Sequence, residues 1–143
     1  MRDNRGFTLI ELILVIAFLG ILFTMTNSFV NYKGQLLLNT TAYEVRNAMQ
    51  LAQQLSIDET RSFSFEVVGR DYIVKENLVS GREVLKKEFP KEISVDPASN
   101  QRVSFNRNGV TNYSVFILKN NRGNGIKIET LIGTGRVLVT FTH

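Results

Sequence analysis

Glu11 is the residue whose chemistry stands out. It lies among Leu9, Ile10, Leu12 and Ile13, at the head of a stretch in which residues 12–32 carry no charged side chain. An ionised carboxylate in lipid costs about a few kcal/mol, less near the interface, so pairing with a cation is the first expectation for it. The plainer alternatives are that Glu11 snorkels to the interface or is protonated. Other reactive groups are sparse. The chain has no cysteine, and its single histidine, His143, is the last residue, so neither a thiolate nor a Ser/His/Asp arrangement is expected. Asp58, Glu59, Glu88 and Glu92 lack the dense oxygen spacing of a calcium loop, and Gly123-Asn124-Gly125 is too short to cradle a phosphate. No enzyme activity, metal ion or cofactor is expected.

Basic side chains offer a second kind of chemistry. Residues 97–143 hold 6 Lys+Arg against Glu129 alone, whereas residues 34–96 hold 8 Lys+Arg against 10 Asp+Glu. A basic patch of this kind attracts a phosphate backbone without sequence preference, so Lys119, Arg122, Lys127 and Arg136 are candidate DNA contacts if a hairpin loop and its strand ends bring them onto one rim. The competing reading is a solvated or partner-facing charged surface.

These residues must be placed by two dissimilar pieces of chain. The 143 residues suffice for one domain, and the low proline count, 2, argues against disorder. From Phe7 to about Val30 a helix rising ~1.5 Å per residue reaches about 36 Å, enough to cross a hydrocarbon core of ~30 Å. Arg2 and Arg5 precede the span and only Lys33 closely follows it, which predicts a short cytoplasmic N-terminus and a body outside the cytoplasmic membrane. A removable signal peptide is the rival. Against it stand the length of the apolar run, the lack of a small-residue cleavage site near Thr24–Phe29, and Glu11 itself.

The string Arg5-Gly6-Phe7-Thr8-Leu9-Ile10-Glu11-Leu12 resembles the class III signal of type IV prepilins and pseudopilins, G-F-T-L-x-E followed by an apolar helix. The resemblance implies cleavage between Gly6 and Phe7 by a prepilin peptidase and N-methylation of Phe7. Cleavage there leaves an ammonium group at Phe7, with Glu11 one helical turn away on the same face. In a filament of staggered parallel helices Glu11 of an incoming subunit can meet the Phe7 amine of its neighbour, replacing two desolvated charges by one compensated pair. Pairing within one chain is the alternative geometry.

Beyond the span, Leu38, Ala42, Val45, Met49, Ala52 and Leu55 recur at spacings of three and four, which predicts an amphipathic helix to about Ile57. The period then changes to two. Strands are expected at 63–68, 72–76, 84–89, 93–95, 103–105, 113–118, 126–132 and 136–141, divided by Gly, Asn and Pro turn signals. The predicted class is α+β: a long N-terminal transmembrane and amphipathic helix packed on a small antiparallel β-domain. Its segments would be a leader at 1–6, a transmembrane helix at 7–32, a helical stalk at 33–59 and a β-rich domain at 60–143.

Phe105-Asn106-Arg107-Asn108-Gly109 and Gly133-Thr134-Gly135-Arg136-Val137 look like the F-N-x-x-G and G-x-G-R-V elements of GspH/FimT-type minor pseudopilins, including the competence pseudopilins of Gram-positive bacteria. Some FimT-type pilins bind DNA through a terminal G-R-x-R element, and this chain departs from it at Leu138. The resemblance implies a structural subunit of a competence pilus, a type IV pilus or a type II secretion pseudopilus, with the first favoured. Its partners would be other pilins, the prepilin peptidase, the cytoplasmic membrane and an assembly platform protein, with DNA as a further possibility. The alternative is a DNA-binding tip receptor or a membrane-anchored binding domain that does not polymerise.

Overall fold

The structure, a computed structural model, describes residues 8–77 and 81–142, and the side chains of these apart from 27–31 and 142. Helix α1 runs Leu9–Asp58, and eight strands follow: β1 Phe63–Val68, β2 Asp71–Glu76, β3 Glu83–Glu88, β4 Ile93–Val95, β5 Arg102–Phe105, β6 Ser114–Asn120, β7 Gly125–Thr130 and β8 Val137–Thr142. The chain divides into two units, Met1–Lys33 and Gly34–His143.

In the first unit, Leu9–Thr26 is long and apolar enough to cross a membrane. Its large side chains, among them Leu9, Ile13, Ile16, Phe18, Leu22 and Phe23, are all exposed. A helix apolar on every face has no polar side to turn to water and suits a lipid surround.

The second unit is α+β, as the change of period predicts. The strands form two antiparallel sheets, β3-β2-β1-β5 and β4-β6-β7-β8. Leu38, Ala42, Val45, Met49 and Ala52 of α1 are buried, as their spacing requires, and Ala48 and Thr41 widen the stripe. Opposite them lie Phe63, Phe65, Tyr72, Val74 and Phe105 from the first sheet and Phe116, Leu118, Ile126, Ile128 and Val137 from the second. Phe65 of β1 meets Phe116 of β6 edge to face, centroids 5.3 Å apart at 87°, so the two sheets touch through aromatic rings.

The last turn of α1 carries Ser56, whose buried hydroxyl donates to the Ala52 carbonyl (2.7 Å) and accepts from the Phe63 amide (3.2 Å). One side chain thus ties the last helical turn to the first strand. Thr60, between them, takes a left-handed conformation at φ 53°. Strand pairing is not a simple meander: β1 pairs with both β2 and β5, Phe63 opposite Phe105 and Phe65 opposite Val103, while β4 belongs to the other sheet.

Candidate processing and assembly site

Of the predicted processing residues, Gly6 and Phe7 lie outside the described residues. The described chain begins at Thr8, immediately ahead of the apolar helix, and there the geometry is specific. The Thr8 amide and hydroxyl both donate to Glu11 Oε2, at 3.1 and 3.2 Å, and the Glu11 amide donates to Thr8 Oγ1 at 3.4 Å. The Leu12 amide donates to the Thr8 carbonyl at 3.2 Å, closing the first turn. This is a reciprocal capping box: Thr8 and Glu11 satisfy backbone donors that a helix start leaves unpaired. In lipid such groups find no water, so the cap stabilises the helix start. The arrangement also answers, in part, why a carboxylate stands at this position. It occupies Oε2 and leaves Oε1 without a partner among the described residues. Thr8-x-x-Glu11 before an apolar run is the sequence signal of such a cap, and it is easily overlooked when the carboxylate is weighed for its charge alone.

The two C-terminal sequence elements converge on one residue of α1. Gln53 Nε2 donates to the carbonyl oxygens of Gly109 (2.9 Å) and Thr134 (3.1 Å). In the first element Phe105 is buried in the core, and Asn106 Oδ1 accepts the amides of Asn108 and Val110, both at 3.0 Å. Gly109 has φ +70°, and a Cβ there would lie 2.7 Å from Ile57 Cδ1. In the second element a Cβ at Gly135, φ +63°, would collide with the Gly109 carbonyl and the Gln53 amide, and Val137 is buried. Phe, Asn, Gly and Val in these two elements therefore perform packing and turn work. Gln53, placed on the polar side of the stalk by its spacing, is the bridge that sequence reasoning missed. A polar side chain that reaches 56 and 81 residues along the chain leaves no periodic signature.

A second Asn-x-x-Gly loop repeats the first. Asn120 Oδ1 accepts the amides of Arg122 (3.0 Å) and Asn124 (3.1 Å), with Gly123 at φ +84°. The loop is pinned to α1 where Asn124 Nδ2 donates to Gln35 Oε1 at 3.3 Å.

The four candidate DNA contacts do not form one rim. Arg122 lies in the β6–β7 turn, whereas Arg136 precedes β8, facing Leu131 at the far end of the same sheet. The length of β7 separates those ends, about 20 Å at ~3.3 Å per residue. Lys119 is ion-paired with Asp96 at 2.5 Å and Lys127 with Glu129 at 2.7 Å. The pairs are visible in proton affinity too. Asp96 is held below its usual range by Lys119 and by the Ala98 amide, and Glu129 by Lys127 and the Tyr113 hydroxyl. Paired in this way, the two lysines present little net positive charge to an incoming phosphate.

Comparison with known proteins adds to this geometry. Residues 1–26 match the family model described as the prokaryotic N-terminal methylation motif. The fold matches the crystal structure of the type IV minor pilin FimU of Pseudomonas aeruginosa with TM-score 0.63 and 17% identity, covering 76% of this chain and 92% of that one. The fold is pilin-like. The minor pseudopilin EpsH of the Vibrio cholerae type 2 secretion system has the same fold at TM-score 0.61 and 7% identity, covering 73% and 96% of the two chains. No curated protein matches the pilin-like chain by sequence. A minor pilin and a minor pseudopilin are thus its structural neighbours.

Proposed function

We propose that the chain is a minor pilin or pseudopilin, a structural subunit that is inserted in the cytoplasmic membrane, processed, and built into a short type IV pilus-like filament. One observation carries this reading. A methylation motif over residues 1–26 stands at the head of an apolar helix in a chain whose body folds like minor pilins. Prepilin peptidase removes residues 1–6, cutting between Gly6 and Phe7, and Phe7 is N-methylated. The Glu11 oxygen not engaged by Thr8 then accepts the Phe7 amine of a neighbouring subunit, so each charge is compensated as the helices come together. Other pilins and an assembly platform protein are the partners, and the body stands outside the cytoplasm.

Among the three machines that share this subunit design, a competence pilus for DNA uptake is favoured. Its support is the likeness of Phe105–Gly109 and Gly133–Val137 to the corresponding elements of Gram-positive competence pseudopilins. The chain serves there as structure rather than as the DNA receptor, because Lys119 and Lys127 are already paired and Arg122 and Arg136 stand apart. Shearing filaments from cells that express the chain with its cognate peptidase, then probing for it by intact mass, tests the proposal. Mature chain beginning at methylated Phe7 in the filament fraction is expected, and precursor confined to the membrane overturns it.

A further inference from the structure

The free edge of the second sheet carries an inference of its own. The Leu131 amide donates to the Arg136 carbonyl, which makes 131 and 136 a hydrogen-bonded pair. With the register Glu129 opposite Leu138, Lys127 opposite Thr140 and Gly125 opposite Thr142, the alternation of an antiparallel ladder makes those the bonded pairs between β7 and β8. Val137, Val139 and Phe141 therefore turn their N–H and C=O groups away from β7. Among the described residues nothing accepts or donates to them.

The other edges are treated differently. Strand β3 carries Glu83, Lys86, Lys87 and Glu88 and a register shift opposite Val74/Lys75. Strand β4 is three residues long, and past it the Ile117 and Val115 carbonyls are taken by the amides of Asp96 and Asn100. Strand β5 has only four residues. Charge, brevity and covering loops are the means by which sheets keep edges from pairing. Strand β8 has none of them: Val137–Thr142 holds six residues with no charge and no proline.

We propose that β8 is the docking edge for an extended, uncharged strand supplied by a different subunit of the filament, added to the sheet through main-chain hydrogen bonds. The proposal rests on the filament reading above. The chemistry of the occupant follows from the edge. Three outward N–H and three outward C=O groups, alternating along the strand, are matched only by another extended backbone. Its side chains would pack beside Leu138, 41% exposed, on the outer face and Phe141, 47% exposed, on the inner. Lys127 and Glu129, opposite Thr140 and Leu138 on the outer face, neutralise each other, so a charge placed beside that stretch of the edge would lose water and find no counter-ion there. The donor is a different subunit because pairing β8 with β8 of a second copy across a twofold axis runs the two bodies in opposite directions. Subunits anchored by the same N-terminal helix enter one membrane in one direction.

Hydrogen exchange on the full chain, detergent-solubilised and in sheared filaments, tests this. Amides within 137–141 should exchange at least ~10-fold more slowly in filaments. Filaments that contain the chain but leave these amides as open as in detergent overturn the proposal. Val139→Pro removes only an outward N–H and should leave the melting temperature of the solubilised chain near wild type while abolishing its recovery in filaments. Should that variant melt early, Leu138→Lys serves, because it faces Glu129 and places a charge on the edge. Wild-type recovery of a folded variant overturns the proposal, as does a detergent-stable homodimer abolished by Val139→Pro. Absence of the wild-type chain from filaments is a different result: it overturns the filament reading, and this proposal with it.

Discussion

Gly135 approaches Gly109 so closely that a methyl group on Gly135 has no place to go but into the Gly109 carbonyl oxygen. The approach joins the loop after β5 to the turn before β8, and Gln53 of α1 clamps both. Gly135→Ala forces a side chain into a left-handed backbone and an occupied volume at once. A destabilisation of about 3 kcal/mol is expected, seen as a fall in melting temperature of roughly 6–12 °C at this chain length. Gln53→Ala should cost less, about 1–3 kcal/mol, by leaving two carbonyls without their donor. Thermal melts of the detergent-solubilised chain check both, and an unshifted Gly135→Ala melt would refute the close approach.

Processing is expected to depend on Gly6. Co-expression with the cognate prepilin peptidase should remove residues 1–6, and Gly6→Val should block removal by putting a branched side chain in a site shaped for glycine. Intact mass separates the two forms. Wild-type chain that keeps Met1–Gly6 beside an active peptidase speaks against the pilin reading.

Glu11 has two duties that substitution can separate. Glu11→Gln retains an acceptor oxygen for Thr8 and so retains the helix cap, but it removes the charge. Glu11→Ala removes both, at a cost to the cap of about 1 kcal/mol. Cleavage and membrane insertion should survive in both variants, and incorporation into filaments should fail in both. Filament yield from the Gln variant equal to wild type would mean that capping, and no charge pairing, is what the position supplies.

Tyr72 makes the body sensitive to alkali. Burial, reinforced by the Glu44 carboxylate that accepts its hydroxyl at 3.3 Å, pushes the phenol well above its usual value. A pKa raised on folding stabilises fully below the unfolded value, about 10, and the contribution declines as pH rises beyond it. Stability should therefore fall steeply above about pH 10 in wild type and less steeply in Tyr72→Phe. Denaturant titrations at about pH 8 and about pH 11, on either side of the unfolded phenol's value, decide. Parallel declines in the two proteins would show that Tyr72 stays free to ionise.

Weak or absent DNA binding is expected of the solubilised chain at physiological salt. If binding occurs, it should be electrostatic. Each of Lys119, Arg122, Lys127 and Arg136 that engages a phosphate should then add about one unit to the log–log salt slope, and its replacement by Ala should remove that unit. A mobility-shift titration at two salt concentrations, with wild type and the fourfold Ala variant, measures this. Tight wild-type binding that vanishes in the variant would make the chain a DNA receptor.

Local signals are legible in the sequence, and distant ones are not. The apolar stripe from Leu38 to Leu55 and the period-two run at Phe63, Phe65 and Val67 betray their elements because burial repeats with the geometry of the backbone. The turns at Asn106–Gly109 and Asn120–Gly123 announce themselves through their Asn and Gly chemistry. By contrast, the pairing of β1 with β5 joins strands far apart in the chain, and nothing in either strand names the other. Gln53 and Ser56 are silent for a related reason: a polar residue on a helix reads as solvent-facing until its distant carbonyl or amide partner is known. At the N-terminus the charge of Glu11 is conspicuous while its cap to Thr8 is not, because a carboxylate beside an apolar run signals its cost in lipid before its service to the backbone donors next to it.

The route of the chain between its sheets has a consequence for export. After β3 the polypeptide leaves the first sheet to lay down β4, returns for β5, and leaves again for β6. If the body crosses a membrane in chain order behind the N-terminal helix, it can form the β1–β2–β3 meander early, yet β1 keeps one flank bare until Arg102–Phe105 has emerged. The second sheet begins with a three-residue strand whose partner, β6, comes later still. The second sheet must wait for β8, Val137–Thr142, whereas the first can be completed as soon as β5 has emerged at Phe105, so the core between the two layers closes last. Until β5 arrives, the exposed flank of β1 is a place where a chaperone-like factor, or a misplaced neighbour, can bind.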